Sequence, residues 1–253
     1  MEKYLLASDY DCTLRRWPDD VTEEDRAAIR RFREAGNHFI IVTGRMYFSA
    51  IGELENSKFN DMDLLLSMSG ALMTDKDGEV IHEDKGDGAV IGGVLKVIRE
   101  LSGRLAVVNV GKTSYSVKDY EFSYTDPKVT DEEAAKLPYF TNMCTCFNGE
   151  KEAAEAGRII SEKYGYAVNP LCNGCSVDLP PATTNKGIAV QRAAELLGVK
   201  NENIYAVGDN YNDIDMVKRY HGRAMKGSPD ALVNAAEKTV STIAEIIDEI
   251  MSK

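Results

Sequence analysis

A chain of 253 residues with 43% apolar side chains is long enough to bury a substantial core, as one large domain or as a core carrying an insertion. Its 30 basic and 41 acidic side chains leave a formal net charge of −11, which argues against nucleic acid or an anionic membrane as a main partner and obliges a small anionic substrate to find local cations. No apolar run approaches the roughly 18 to 20 residues that cross a bilayer, Met1-Glu2-Lys3-Tyr4-Leu5-Leu6 leads into a strand without a cleavable signal, and the five cysteines read as reduced thiols, so a cytoplasmic location is expected.

In chain order, the apolar run Tyr4–Ser8 predicts a buried strand, and Thr22–Ala35 a helix opened by Thr22 and Asp25 and closed by Gly36. Phe39–Val42 reads as a second buried strand, Tyr47–Leu54 as a helix and Leu64–Ser67 as a strand, with a hairpin turn at Thr74-Asp75-Lys76-Asp77-Gly78. Residues 83–179 read as a separate α+β module. Its helices fall at Gly88–Leu101 and Lys151–Tyr164, and its strands at Leu105–Val110, Met143–Phe147 and Ser176–Leu179. The alternation then resumes with a helix at Lys186–Leu197, a strand at Asn203–Val207, a short helix at Asp213–Arg219 and a last helix at Ile243–Met251. This order predicts an α/β fold, a doubly wound parallel sheet core of residues 1–82 and 180–253, interrupted by an inserted domain over 83–179 with joints near Glu83 and Pro180-Pro181.

Four segments place polar groups at the C-terminal end of a predicted strand, where ligands bind in open α/β sheets. Ser8-Asp9-Tyr10-Asp11-Cys12-Thr13-Leu14 carries two carboxylates two residues apart, an expensive arrangement unless a hard divalent cation offsets their repulsion. Thr43-Gly44-Arg45 joins a hydroxyl, a permissive glycine and a helix start, the parts of a phosphate site, although Thr-Gly is also ordinary turn chemistry. Lys186 opens a helix, where a cation opposes the dipole; a solvated surface lysine is the common alternative. Gly208-Asp209-Asn210-Tyr211-Asn212-Asp213 sets two carboxylates four apart where a helix begins, so that both can face one point or cap that helix.

The order Asp-x-Asp-x-Thr, Thr-Gly-Arg, Lys-Gly, Gly-Asp-x-x-Asn-Asp resembles the haloacid dehalogenase-type hydrolases, and their Cof-type subfamily with a type II cap, over almost the whole chain. The resemblance implies a Rossmann-like core and a mobile α/β cap inserted between the second and third motifs. It also implies Mg²⁺-dependent hydrolysis of a small phosphorylated metabolite, sugar phosphates among them, by a monomer or small homo-oligomer. Carried over by position, Asp9 would be the nucleophile and Asp11 the acid and base. Thr43, Gly44, Arg45, Lys186 and Asn212 would serve the phosphate. Mg²⁺ would sit on Asp9, Asp11 through its backbone carbonyl, Asp209 and Asp213. Two departures stand out: Cys12 where the family usually has Gly, and Ser67-Met68-Ser69-Gly70-Ala71 where Ser-Asn-Gly-Ala is more usual. A phosphomutase using the same aspartate and a non-catalytic ligand-binding relic of the fold are the alternatives.

Other features point elsewhere more weakly. Residues 106–113 imitate a P-loop without its first glycine. Cys144, Cys146, Cys172 and Cys175 offer thiolates to zinc at imperfect spacing, and His38, His82 and His221 show no ligand spacing. No Gly-x-Ser-x-Gly elbow occurs, and Trp17 is placed either to touch substrate or to pack beneath the cap.

Overall fold

The computed structural model describes residues 2–16, 20–123 and 127–253; Trp17 lies outside them. The chain divides into one unit of Met1–Ile81 with Lys186–Lys253 and a second of His82–Asn185.

The first unit is built on an eight-stranded sheet. Leu5–Ser8 lies in parallel between His38–Val42 and Ile204–Gly208. Leu64–Ser67 extends the sheet on one side, His221–Met225 and Lys238–Val240 on the other, all in parallel. Leu72–Asp75 turns back antiparallel and Val80–Glu83 completes that edge. Successive residues of a strand face opposite sides, so Leu6, Phe39, Ile41 and Val207 join the helices Glu23–Glu34 and Ile243–Met251, while Leu5, Ala7, Ile40 and Ala206 join Lys186–Leu197 and Ile214–Arg219. Burial on both faces is why these strands read as unbroken apolar runs. The chain leaves Leu5–Ser8 toward one side of the sheet and later returns on the other, making a switch point between Leu5–Ser8 and Ile204–Gly208.

The strand His221–Met225 escapes the sequence pattern because Gly222 and Arg223 interrupt it. A side chain at Gly222 would meet the Val217 carbonyl oxygen at 2.1 Å, and the buried Arg223 is held by Glu237 and Glu249, each at 2.8 Å.

Thr22 caps Glu23–Glu34 by accepting from the Asp25 N–H, with acidic residues in the first turn and Arg31 and Arg33 in the last. Asp63 ties this helix to the sheet, accepting from Arg33 at 3.1 Å and from the Phe39 N–H at 2.9 Å. Burial opposes its charge, but the His38 ring 3.6 Å away and the hydrogen bonds from Arg33 and the Phe39 N–H prevail and hold its carboxyl down at about 2. A carboxylate lowered on folding contributes stability that is complete above its unfolded value, about 3.9, and disappears as pH falls through the folded one. Asp63→Asn is expected to lower stability by about 1–2 kcal/mol at neutral pH, after discounting for partial exposure, with the gap from wild type closing as urea titrations descend from about pH 4 toward 2.

The second unit is a six-stranded sheet in the order Leu171–Asn173, Ser176–Leu179, Asn142–Cys146, Leu105–Val110, Thr113–Val117, Lys128–Val129, antiparallel except for its last pair. The helices Ile91–Glu100 and Glu150–Tyr164 share one apolar core with Ala106, Val108, Met143 and Val177. The P-loop imitation is a hairpin: Gly111, at φ +55°, and Lys112 join two antiparallel strands. The expected second joint at Pro180-Pro181 needs correction. Residues 180–185 stay with the inserted unit because Asn169 N–H donates to the Pro180 carbonyl, Ala182 N–H to that of Ala167, and the Asn169 amide to that of Thr184.

Candidate active site

Asp9 is the first residue beyond Leu5–Ser8 and Asp209 the first beyond Ile204–Gly208; since Ser8 pairs with Val207, the register alone brings the two carboxylates together at the switch point. Asp213 reaches them from the turn Tyr211–Asp213. One of its oxygens accepts from the backbone N–H groups of Asp209 at 3.0 Å and Asn210 at 3.1 Å, so it both caps the turn and faces the site. Gly208 is required for this approach: a Cβ there would lie 2.4 Å from the Asp213 side chain.

Lys186, first residue of its helix, is wholly buried, not on the surface. Its Nζ donates to Asp9 Oδ1 and Asp213 Oδ1, both at 2.6 Å. Burial opposes the ammonium charge, but Asp213 and Asp9 outweigh it and keep the lysine protonated well above its ordinary value. The carboxylates fare differently. Burial drives the Asp9 carboxyl well up, with Lys186 only partly countering and Asp213 and Asp209 adding repulsion; Asp209 rises to about 6, through burial first and Asp213 second. Thr13, wholly buried, donates to Asp209 Oδ1 at 3.2 Å.

Three carboxylates therefore share one cation. One oxygen from each of Asp9, Asp209 and Asp213 lies within 4.8 Å of the other two. An oxygen-only donor set with excess negative charge is what a hard divalent cation requires, and the residues fit Mg²⁺. Among the described residues this is the group of His, Cys, Asp and Glu side chains close enough to share an ion; the cysteines and the three histidines stand outside it.

Thr43, Gly44 and Arg45 follow His38–Val42. Thr43 is buried, and its hydroxyl accepts from the Arg45 N–H at 3.1 Å. Met68 and Ser69 hold this loop from below, their N–H groups donating to the carbonyls of Arg45 and Thr43, both at 2.9 Å. Both adopt left-handed backbone, at φ +54° and +57°, a strain that the departure from Ser-Asn-Gly-Ala places beside the site. Asn212 is half-buried in its turn and makes no side-chain hydrogen bond among the described residues. The Asp11 carboxylate is not in the acidic cluster; both its oxygens accept from Arg45.

Ser49 and Glu53, which brace Arg45 at 3.0 and 3.3 Å, were not singled out from the sequence. Ser49 and Glu53 share one face of the helix Tyr47–Asn56, but Arg45 precedes that helix, so spacing alone did not join the three. Cys12, the residue after the second motif aspartate, is left-handed at φ +60°, which explains why Gly is usual there. Burial raises its thiol, and Asp209, Asp11 and Asp9 raise it further, so it stays protonated. Cys12→Gly is expected to raise stability by about 0.5–1 kcal/mol in thermal unfolding, the relief of a strained left-handed residue.

Sheet order and buried cluster together define a Rossmann-like α/β protein with an acidic site at its switch point. The haloacid dehalogenase-like hydrolase family matches residues 6–248, and the chain belongs to that family, in its Cof-type branch, as a phosphoric monoester hydrolase. It is 24% identical to the 5-amino-6-(5-phospho-D-ribitylamino)uracil phosphatase YcsE of Bacillus subtilis over 247 residues, covering 95% of this chain and 91% of that one. Its fold is similar to that of a subclass IIB sugar phosphatase of the superfamily, with a TM-score of 0.80 at 19% identity over 98% of both chains. It is also similar to a Thermotoga maritima protein, with a TM-score of 0.77 at 21% identity over 98% of this chain and 97% of that one. Among the described residues no helix is long and apolar enough to cross a membrane.

Proposed function

We infer that the protein is a Mg²⁺-dependent phosphatase that hydrolyses small phosphate monoesters through an aspartyl-phosphate on Asp9. The observation that carries this reading is the buried Lys186 set 2.6 Å from both Asp9 and Asp213 beside a third carboxylate. A carboxylate approaches a phosphate dianion only when cations cancel the repulsion and hold the groups in line. Asp9, Asp209, Asp213 and the Asp11 carbonyl would hold Mg²⁺, which when bound supplies charge neutralisation to the ester.

An Asp9 oxygen attacks phosphorus as the ester P–O bond breaks, and Asp11 gives its proton to the departing alcohol. Asp11 then takes a proton from water as that water attacks phosphorus, releasing inorganic phosphate and restoring Asp9. Lys186 offsets charge on the transferring group, and the Thr43 hydroxyl donates to it, with Gly44 leaving room and Asn212 orienting it. The inserted unit acts as the cap that selects the leaving group. The named activity of the Bacillus subtilis relative and the sugar phosphatase similarity favour sugar or polyol phosphates as substrates. A panel of phosphorylated metabolites assayed with and without Mg²⁺ tests this: stoichiometric inorganic phosphate supports hydrolysis, and an isomeric phosphate ester would indicate a mutase.

A further inference from the structure

Arg45 is expected from the sequence to bind phosphate, but its guanidinium is already engaged. Its Nε and Nη2 donate to the two oxygens of Asp11 at 2.6 and 2.7 Å. Its Nη1 donates to Ser49 Oγ at 3.0 Å and to Glu53 Oε1 at 3.3 Å. The other Glu53 oxygen accepts from Arg15, and the Arg15 N–H closes its own loop on the Tyr10 carbonyl at 2.8 Å. The series Asp11, Arg45, Glu53, Arg15 thus starts and ends in the loop after the first strand, while its middle is anchored on the helix Tyr47–Asn56. Asp11 needs such an anchor. Its side chain is 43% exposed, and Arg45 is its side-chain partner among the described residues. A short exposed carboxylate has no fixed direction of its own; a forked, two-bond guanidinium contact gives it one.

We propose that Arg45 is the positioning residue for Asp11, aiming that carboxylate at the ester oxygen of the leaving group, and that Glu53 and Ser49 hold Arg45 in place to do so. This rests on the reading of Asp11 as the acid and base. The consequence is selective. An alkoxide leaving group needs the Asp11 proton as the P–O bond breaks, whereas p-nitrophenolate leaves without one. Misplacing Asp11 therefore lowers kcat/KM, which ends with formation of the aspartyl-phosphate, for alkyl phosphates alone, while slower hydrolysis of that common intermediate affects both esters equally. Loss of a phosphate ligand would instead weaken both esters alike.

The test is kcat/KM for p-nitrophenyl phosphate and for an alkyl phosphate such as glycerol phosphate, in Mg²⁺, with wild type, Arg45→Ala, Arg45→Lys, Glu53→Gln and Asp11→Asn. Arg45→Ala is expected to raise the aryl-to-alkyl ratio at least about tenfold, within the range general acid catalysis spans. Arg45→Lys, which keeps the charge but loses the fork, raises it too, and Glu53→Gln less so. Asp11→Asn raises it most. Should Arg45→Ala fail to fold, Arg45→Lys and Glu53→Gln carry the test. Equal losses on both esters in the Arg45 and Glu53 variants, with Asp11→Asn still shifting the ratio, would overturn the proposal and leave Asp11 as the acid. An unchanged ratio in Asp11→Asn would remove the acid assignment, and the proposal with it.

Discussion

With Asp9 replaced by Asn, phosphate ester hydrolysis falls by at least about a thousandfold, the scale on which loss of a covalent nucleophile acts. The fold does not weaken. Asp9 is one of three buried carboxylates sharing the single Lys186 ammonium, and burial together with Asp213 and Asp209 already disfavours its charge. An amide at this position keeps an oxygen for Lys186 and relieves that crowding, so the Mg²⁺-free melting temperature is expected to stay level or rise. Loss of activity without loss of stability separates a chemical role for Asp9 from a structural one, and fits a site that trades stability for reactivity. A variant retaining full Mg²⁺-dependent turnover would sink the nucleophile assignment.

Lys186→Met is expected to act on both counts. The side chain has no exposure, and its Nζ is bound by Asp9 and Asp213. Removing the partner from a buried ion pair leaves uncompensated charge and costs about 3–5 kcal/mol, or roughly 10 °C in melting temperature for a chain of this size. Activity falls about a thousandfold or more as well, because the transferring phosphoryl group loses its neutralising cation. Adding Asp213→Asn to Lys186→Met should recover part of the stability, since one stranded carboxylate is gone, and none of the activity. Additive losses in the double variant would show that Lys186 and Asp213 do not form the coupled pair their 2.6 Å contact implies.

How much of this was legible in the sequence follows from which forces acted locally. Strands buried on both faces, such as Leu5–Ser8 and Leu64–Ser67, advertise themselves as apolar runs, and the strand-end position of Asp9 and Asp209 follows directly. Thr113–Val117 and His221–Met225 did not, because polar residues there are satisfied by tertiary partners: Ser114 by Asn109, Arg223 by Glu237 and Glu249. Lys186 was visible as a cation in the wrong place on a helix, but its burial depends on carboxylates 177 and 27 residues away. The division of the two motif aspartates came from the family resemblance and not from the residues themselves, for the same reason. Nothing in Asp-x-Asp says that Asp9 turns into the buried cluster while Asp11 turns out to Arg45, which lies 34 positions along the chain. The left-handed turn at Met68 and Ser69 was hidden because neither residue favours that backbone; the hydrogen bonds it gives to Thr43 and Arg45 hold it there.

The most direct test of Asp9 as the phosphorylated residue is to quench the enzyme during turnover with Mg²⁺ and a sugar phosphate, reduce with borohydride, and sequence the peptides by mass spectrometry. Borohydride converts an aspartyl-phosphate to homoserine. Homoserine at position 9, dependent on substrate and absent from Asp9→Asn, is the predicted result. Homoserine at another aspartate, or none anywhere while single-turnover kinetics show a phosphoenzyme, would contradict it.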